Sequence, residues 1–353
     1  MLKRTFSLAW KIPKWSFELA SWGKSFKNNP IIGNYWLNLL GLHVFRVVVA
    51  HALFRFRLVL LSPLVPLDYR KEFIKNGYIL KKNFLSEEQF LRLAKELNQF
   101  EGPVREIIEG TTVTQRIFMD YKERKRAPEF NALVENKLLD RLMRYCSSKN
   151  RPPLFYIENL CNHENVNPRP DPQRDLHADT FHPCVKGWLY IDETDNSNGA
   201  YVYVPGSHSL SWKRLKWEYK ESLEACKKGA DREPGRYWDG SFRVSREDLS
   251  KMEYQVEKLS VPANTLVIGN VYGFHCRGEA VQKSKRMTVW MQARDNPFNP
   301  LFTPFPKVTA RAFEGIWKKA LERLDQGKIN SGEQRNFYGS LSRPDDKEAA
   351  DKP

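Results

Sequence analysis

His177 and Asp179 stand two residues apart, and His275 follows 98 residues after the first histidine. Two imidazoles and one carboxylate make up the facial ligand set that holds ferrous iron and leaves positions open for a co-substrate and oxygen. On an extended strand residues i and i+2 share a face, so the His-x-Asp pair can grip one metal from one side. The third ligand must then come from a distant strand. The apolar run Thr265-Leu-Val-Ile-Gly-Asn-Val-Tyr-Gly-Phe274 reads as a buried strand ending at His275.

The elements that would position these groups follow in order. Trp188-Leu-Tyr-Ile-Asp192 starts a strand, Asn198-Gly199 makes a turn, and Ala200-Tyr-Val-Tyr-Val204 runs into Pro205-Gly-Ser-His208. Arg286 lies eleven residues beyond His275, and Met287-Thr-Val-Trp-Met291 after it reads as a strand that points Arg286 and Thr288 to one side. This series resembles the phytanoyl-CoA dioxygenase family of iron(II)/2-oxoglutarate oxygenases, over roughly residues 70 to 295. There an H-x-D motif is followed by a strand with a tryptophan, an N-G turn, a P-G-[ST]-H signature, and an arginine eleven residues after the distal histidine.

The resemblance implies a mainly β fold with flanking helices, a double-stranded β-helix or jelly-roll. It implies Fe(II), 2-oxoglutarate and O2, with His177, Asp179 and His275 on the metal. Arg286 would hold the far carboxylate of 2-oxoglutarate, for which a guanidinium fork is suited, with Thr288 assisting. Trp188 and Asn159, with Gln115 or Arg116, fall where the family places co-substrate contacts. Related halogenases keep the carboxylate position small, so Asp179 implies hydroxylation. Plainer readings stand beside these: Trp188 as a core aromatic, Lys283-Ser-Lys-Arg286 as a solvated basic run, His208 as a turn cap, and the whole as a jelly-roll binding protein without chemistry.

The chain has 353 residues, a formal charge of +15 and a pI near 9.5, which suits a polyanionic partner. Five scattered cysteines, none in a CxxC pair, exclude a disulfide scaffold or zinc finger and suit a reducing compartment. Cys276 follows His275 and is expected close to the iron.

Three regions emerge: residues 1–68, a dioxygenase domain over 69–300 carrying an insertion at 212–254, and a terminal helix with a mobile tail over 301–353. Residues 1–70 hold ten Lys/Arg against Glu18 and Asp68, interleaved with Trp10, Trp15, Trp22 and Trp36. Neither an uninterrupted apolar core nor the small-residue cleavage site of a secretory signal follows the basic start, so a cytoplasmic protein is expected. The apolar stretch Tyr35 to Pro66 is cut by Arg46, Arg55 and Arg57, each costing roughly 2.5–3.5 kcal/mol at a bilayer centre. A spanning helix is thereby disfavoured. An interfacial helix with these arginines and His43 and His51 on its polar rim, or a helix packed on the domain, remains. The charge favours the interface, so truncating residues 1–66 is expected to solubilise the protein. Ser86 caps a helix over 87–97, 113–119 and 154–160 read as strands, and 131–146 as a helix. The insertion is rich in Trp and Tyr and reads as an ordered lid or binding surface.

A basic aromatic N-terminal segment and Arg277 near the iron suit an anionic lipid or glycolipid substrate at the cytoplasmic face of the inner membrane, with no nucleic acid partner. The layout resembles the bacterial hydroxylases of Kdo, the 3-deoxy-D-manno-octulosonic sugar of the lipid A inner core. An acyl-CoA or small-metabolite hydroxylase is the alternative.

Overall fold

The computed structural model describes residues 11–164, 171–227, 237–238 (backbone only), 240–330 and 334–341. Its strands are β1 Tyr78–Lys81, β2 Glu101–Glu109, β3 Thr112–Phe118, β4 Leu154–Asn162, β5 Val185–Tyr190, β6 Tyr201–Tyr203, β7 Tyr237–Trp238, β8 Ser241–Phe242, β9 Glu257–Leu259, β10 Thr265–Asn270, β11 His275–Arg277, β12 Ser284–Ala293 and β13 Gln334–Ser340. Eight of them form one antiparallel sheet in the order β1-β10-β5-β12-β4-β3-β2-β13. β11-β6-β9 form a smaller antiparallel sheet, extended past β11 by the bridges His275↔His177 and His177↔Arg243.

Alternation along the strands divides the large sheet cleanly. Leu189, Leu266, Ile268, Met287, Val289 and Met291 face a helical layer and join Phe73, Leu93, Phe130 and Leu142 in the main core. The opposite face presents Tyr78, Trp188, Tyr190 and Val267 to Tyr201, Tyr203, Leu259 and Val261. Aromatic side chains fill that space. Two antiparallel sheets face to face, with helices outside, make the expected jelly-roll.

Local signals in the sequence explain most of the helices. Ser86 and Gln89 form a capping box at the start of Glu87–Gln99. The helix expected over 131–146 is two, Pro128–Val134 and Lys137–Ser147, because Asn136 turns out of the first and caps the second with its side chain. The apolar run before His275 likewise ends early. β10 stops at Asn270, the chain turns, and the histidine opens β11 in the other sheet. The insertion contains a helix at Trp212–Lys227, the β7–β8 hairpin and a helix at Arg246–Lys251. The terminal helix runs Pro306–Asn330. Part of the tail expected to be mobile is β13, paired with β2 along its length; the rest lies outside the described residues.

The N-terminal segment departs most from expectation. The helix Leu42–Leu61 buries His43, Arg46, His51 and Arg57 alongside Val47, Ala50, Phe54 and Leu61, and leaves several large apolar side chains exposed. Arg46 is 3 % exposed and Arg57 2 %, and His43 and His51 are buried too, so neither arginine lies on a rim facing lipid. Arg46 donates to the carbonyls of Leu19 and Gly23 and stacks 4.0 Å over Phe181. Arg57 donates to the carbonyls of Ser148 and Asn299. His43 meets Glu218 of the insertion helix at 2.8 Å, and Arg214 meets the same carboxylate at 3.0 Å. Of the three arginines, only Arg55 is exposed. Outward face Phe45 and Val59, 67 % and 70 % exposed, with Val48, Phe56 and Leu60. Among the described residues no helix is long and apolar enough to cross a membrane.

Candidate iron and 2-oxoglutarate site

His177, Asp179 and His275 converge although 98 residues and eight elements separate the two histidines in sequence. The bridge between His177 and His275, closed by reciprocal backbone hydrogen bonds of 3.0 Å, sets both imidazoles on the same inner face. The Pro-Gly-Ser-His turn supports this pairing: Ser207 Oγ accepts the N–H of Phe274, immediately before His275, at 2.8 Å. From the two histidines, Nε2 lies 3.5 and 3.7 Å from Asp179 Oδ1. One donor atom from each residue lies within 4.8 Å of the others, and all three residues are buried.

The hydrogen bonds around the triad leave the right atoms available. Nδ1 of His177 donates to the carbonyl of Asp175 at 2.7 Å, and Nδ1 of His275 to that of Gly273 at 2.9 Å. Each bond holds the proton on Nδ1 and leaves Nε2 as the bare ligand. Asp179 Oδ2 is taken by Lys186 at 2.7 Å and approached by Arg294 at 3.4 Å, which leaves Oδ1 turned to the histidines. Burial opposes the Asp179 charge, but Lys186, both histidines and Arg294 hold its carboxyl well below the usual range. Burial, with His177 beside it, pushes His275 down to about 3. A neutral imidazole and an ionised carboxylate are the states that bind a divalent cation.

Arg286 lies in β12 opposite Leu160 of β4, on the face that looks across to the small sheet. Its Nη1 donates to Thr194 Oγ1 at 2.9 Å and to the carbonyl of Gly199 at 2.6 Å, so the Asn-Gly turn orients the guanidinium. Among the described residues its Nε is buried with no partner, as are Thr288 Oγ1 on the same face and the hydroxyl of Tyr201. Buried polar atoms are rarely left unpaired without a reason, and these are donors awaiting an acceptor. Trp188 stands on this face, 4.8 Å from the Tyr201 ring, which in turn is 5.8 Å from His275. The donor set therefore fits iron(II), and the orphaned atoms of Arg286 and Thr288 fit a carboxylate-bearing co-substrate such as 2-oxoglutarate.

Asn159 is not with them. It pairs with Met287, whose side chain lies in the helix-covered core, so it faces away from Arg286. Its amide donates to Gln115 and to the carbonyl of Leu341. Parity along β4 decides this: the residues facing inward are Glu158 and Leu160. Gln115 shares the outer face, whereas Arg116 turns inward and pairs with Glu158. Cys276 also points away from the metal, and burial pushes its thiol up to about 12. Arg277 shares the metal's face but is paired with Asp171.

Sequence reading missed Lys186, Arg294, Arg243 and Lys24. Arg243 stands directly opposite His177. Lys24 donates to the Asp179 carbonyl at 2.6 Å, and burial and nearby Arg294 lower it to about 8. Lys186 was legible as the inward neighbour of Trp188 by alternation; Lys24 comes from more than 150 residues away and carries no local signal.

The profile of the family described as phytanoyl-CoA dioxygenase (PhyH) matches residues 73–264. The chain belongs to that family. The match ends before His275 and Arg286, which the fold brings to the matched H-x-D. The peroxisomal phytanoyl-CoA dioxygenase of Mus musculus is 25% identical over 191 residues, 46% of this chain and 54% of that protein, so the chain spans about half the length of that curated relative. Among solved structures, the epimerase SnoN in complex with Fe3+, alpha ketoglutarate and nogalamycin RO is 14% identical with a TM-score of 0.41, covering 64% of this chain and 81% of that one. HygX from Streptomyces hygroscopicus, with nickel and 2-oxoglutarate bound, is 14% identical with a TM-score of 0.40, covering 65% and 86%. AviO1 from Streptomyces viridochromogenes is 17% identical with a TM-score of 0.39, covering 68% and 98%.

Family membership and register together give a paired expectation. Arg286→Ala, removing a buried charged partner of a carboxylate, weakens 2-oxoglutarate by about 2 kcal/mol or more, roughly 30-fold. Asn159→Ala leaves that affinity unchanged but costs about 1–3 kcal/mol of stability through unpaired partners. Anaerobic calorimetric titration of 2-oxoglutarate and thermal melting separate the two; a loss of affinity in Asn159→Ala would return that residue to the site.

Proposed function

We propose that the protein is an Fe(II)/2-oxoglutarate-dependent dioxygenase that hydroxylates a C–H bond of an anionic, membrane-borne substrate. The convergence of His177, Asp179 and His275, with Arg286 waiting on the facing sheet, carries the reaction class. Bound there, iron and 2-oxoglutarate supply oxygen activation coupled to decarboxylation of the oxo acid to succinate. The chain supplies the rest: Nε2 atoms held bare, an ionised Asp179, a guanidinium oriented by Thr194 and Gly199, and an aromatic wall of Trp188, Tyr190 and Tyr201 that excludes water.

An anionic substrate is supported by the cations gathered around Asp179, Lys24, Lys186 and Arg294. The Kdo sugar of the lipid A inner core, which carries a carboxylate and sits on a lipid, is the first compound to test. Incubation of lipopolysaccharide precursors with the enzyme, iron and 2-oxoglutarate is expected to add one oxygen to the sugar, by mass spectrometry. Turnover on a branched acyl-CoA instead would move the assignment to that class, and no succinate on any substrate would leave a binding protein.

Attachment to the cytoplasmic face of the inner membrane is supported by the outward face of the N-terminal helices. Phe17, Trp22, Trp36, Leu40, Phe45, Phe56 and Val59 are exposed there, bordered by the exposed Lys11, Lys14, Lys27, Arg55, Lys71 and Lys75. Apolar side chains above a basic border suit insertion at an anionic interface. Phe45→Asp with Val59→Asp abolishes flotation with anionic vesicles while succinate release with a soluble substrate stays intact. Because insertion is chiefly apolar, salt alone releases the wild type only in part; equal flotation of both proteins would end this reading.

A further inference from the structure

The small sheet shows its histidines inward, so alternate residues form an outer face. One row of that face, Val204, Phe274, Ala178 and Phe242, is sealed by Phe26 and Ile32 of the N-terminal segment and by Trp217 of the insertion helix. The next row is less completely covered: Leu176 is half-buried, and Val202, Cys276 and Val244, though buried, line a groove. The pairings Lys258↔Val202↔Cys276, with the bridges through His177, align Lys258, Val202, Cys276, Leu176 and Val244 across the sheet. This row floors a groove of about 1000 Å³, walled by Leu249, Tyr254 and Val256. The volume is that of a pocket for a sizeable small molecule.

The floor is apolar apart from its Lys258 end, while the rim carries Arg174, Arg243, Arg246 and Arg277 against Asp175 and Glu279. Arg174 is paired with Glu279, Arg277 with Asp171, and Arg243 donates to the carbonyls of Ser241 and Pro172. Arg246 and Lys258 also line the groove and have no acidic partner among the described residues. An apolar floor beside unneutralised cations fits a molecule with a hydrocarbon chain and one anionic end.

We propose that this groove is a second binding site, on the far side of the sheet from the iron, for a single-chain anionic lipid. The chain lies along Val202, Leu176 and Val244, and the carboxylate or phosphate is held by Arg246 and Lys258. The site is independent of the reaction assigned to the iron centre. Leu176 and Cys276 are the immediate neighbours of two iron ligands, so its occupant rests on the backs of the strands that hold the metal.

The test is calorimetric titration of dodecyl phosphate, kept below its micelle concentration, into the full-length chain. Binding is expected, at least tenfold tighter than that of inorganic phosphate or dodecyl maltoside, which carry the charge or the chain alone. Arg246→Glu with Lys258→Glu, two surface changes, weakens it at least tenfold with an unchanged circular dichroism spectrum. Phe45→Asp with Val59→Asp binds as the wild type does. Wild-type affinity in the Arg246/Lys258 variant, or loss of binding in the Phe45/Val59 variant, overturns the proposal, the latter by placing the amphiphile on the exposed helix face.

Discussion

His275→Ala abolishes 2-oxoglutarate decarboxylation and iron retention while the fold persists. The ring lies between the sheets with Nδ1 bonded to the Gly273 carbonyl and Nε2 bare toward Asp179, so its loss removes one of three protein ligands. The two that remain, His177 and Asp179, sit two residues apart and hold a divalent cation from one side only. Loss of an outer hydrogen-bond partner of a ligand typically costs about 10–100-fold in metal affinity or activity. Lys186→Met, which strips Asp179 Oδ2 of its nearest cation, is expected within that range, and His275→Ala well beyond it. Iron content after anaerobic loading, succinate release and a melting curve decide the matter. Retained turnover in His275→Ala would refute the ligand assignment; a collapsed melt would make the variant uninformative, and His275→Gln, which keeps a polar side chain of similar reach, then serves the same purpose.

What was legible in the sequence was what local spacing encodes. The H-x-D pair, the Asn-Gly turn, the Pro-Gly-Ser-His turn and the offset to Arg286 are all short-range, and each places its group where the fold has it. Asn159 failed because it was placed by position along a strand without its parity. One residue of slip exchanges the site face for the helix face. Lys24 and Arg294 were invisible because their partners are set by tertiary packing. The spacing of arginines in the N-terminal helix fits both an interfacial face and packing on the domain, and the charge balance favoured the first. Arginines in an apolar run were placed toward water and lipid headgroups, but here backbone carbonyls of Leu19, Gly23, Ser148 and Asn299 await them inside. Periodicity gave two faces of the helix; it could not say which was buried.

That inversion changes what deletion of residues 1–66 is expected to do. A detachable anchor would leave a soluble enzyme, but this segment closes the domain. Phe26, Ile32 and Phe54 are buried in two cores shared with the sheets and the insertion, and each such side chain is worth about 2–5 kcal/mol. Their sum, on the order of 10 kcal/mol, rivals the whole stability of a typical domain, about 5–15 kcal/mol. Deletion also takes His43 from Glu218 and Lys24 from Asp179. The truncated chain is therefore expected to aggregate or melt below working temperature. Glu218→Ala tests the same seam in the full chain, because it leaves Arg214, fully buried against Tyr272, without its counter-charge, at a cost of about 3–5 kcal/mol. Burial opposes the Glu218 charge, but Arg214 and His43 outweigh it and hold the carboxyl at about 2. Its contribution to stability is then complete above the unfolded carboxyl value of about 4.3 and is lost as pH falls toward 2. Melting curves at neutral pH and near pH 3 should show the gap between wild type and Glu218→Ala narrowing with acid; a soluble, active enzyme after deletion of residues 1–66 would restore the anchor reading.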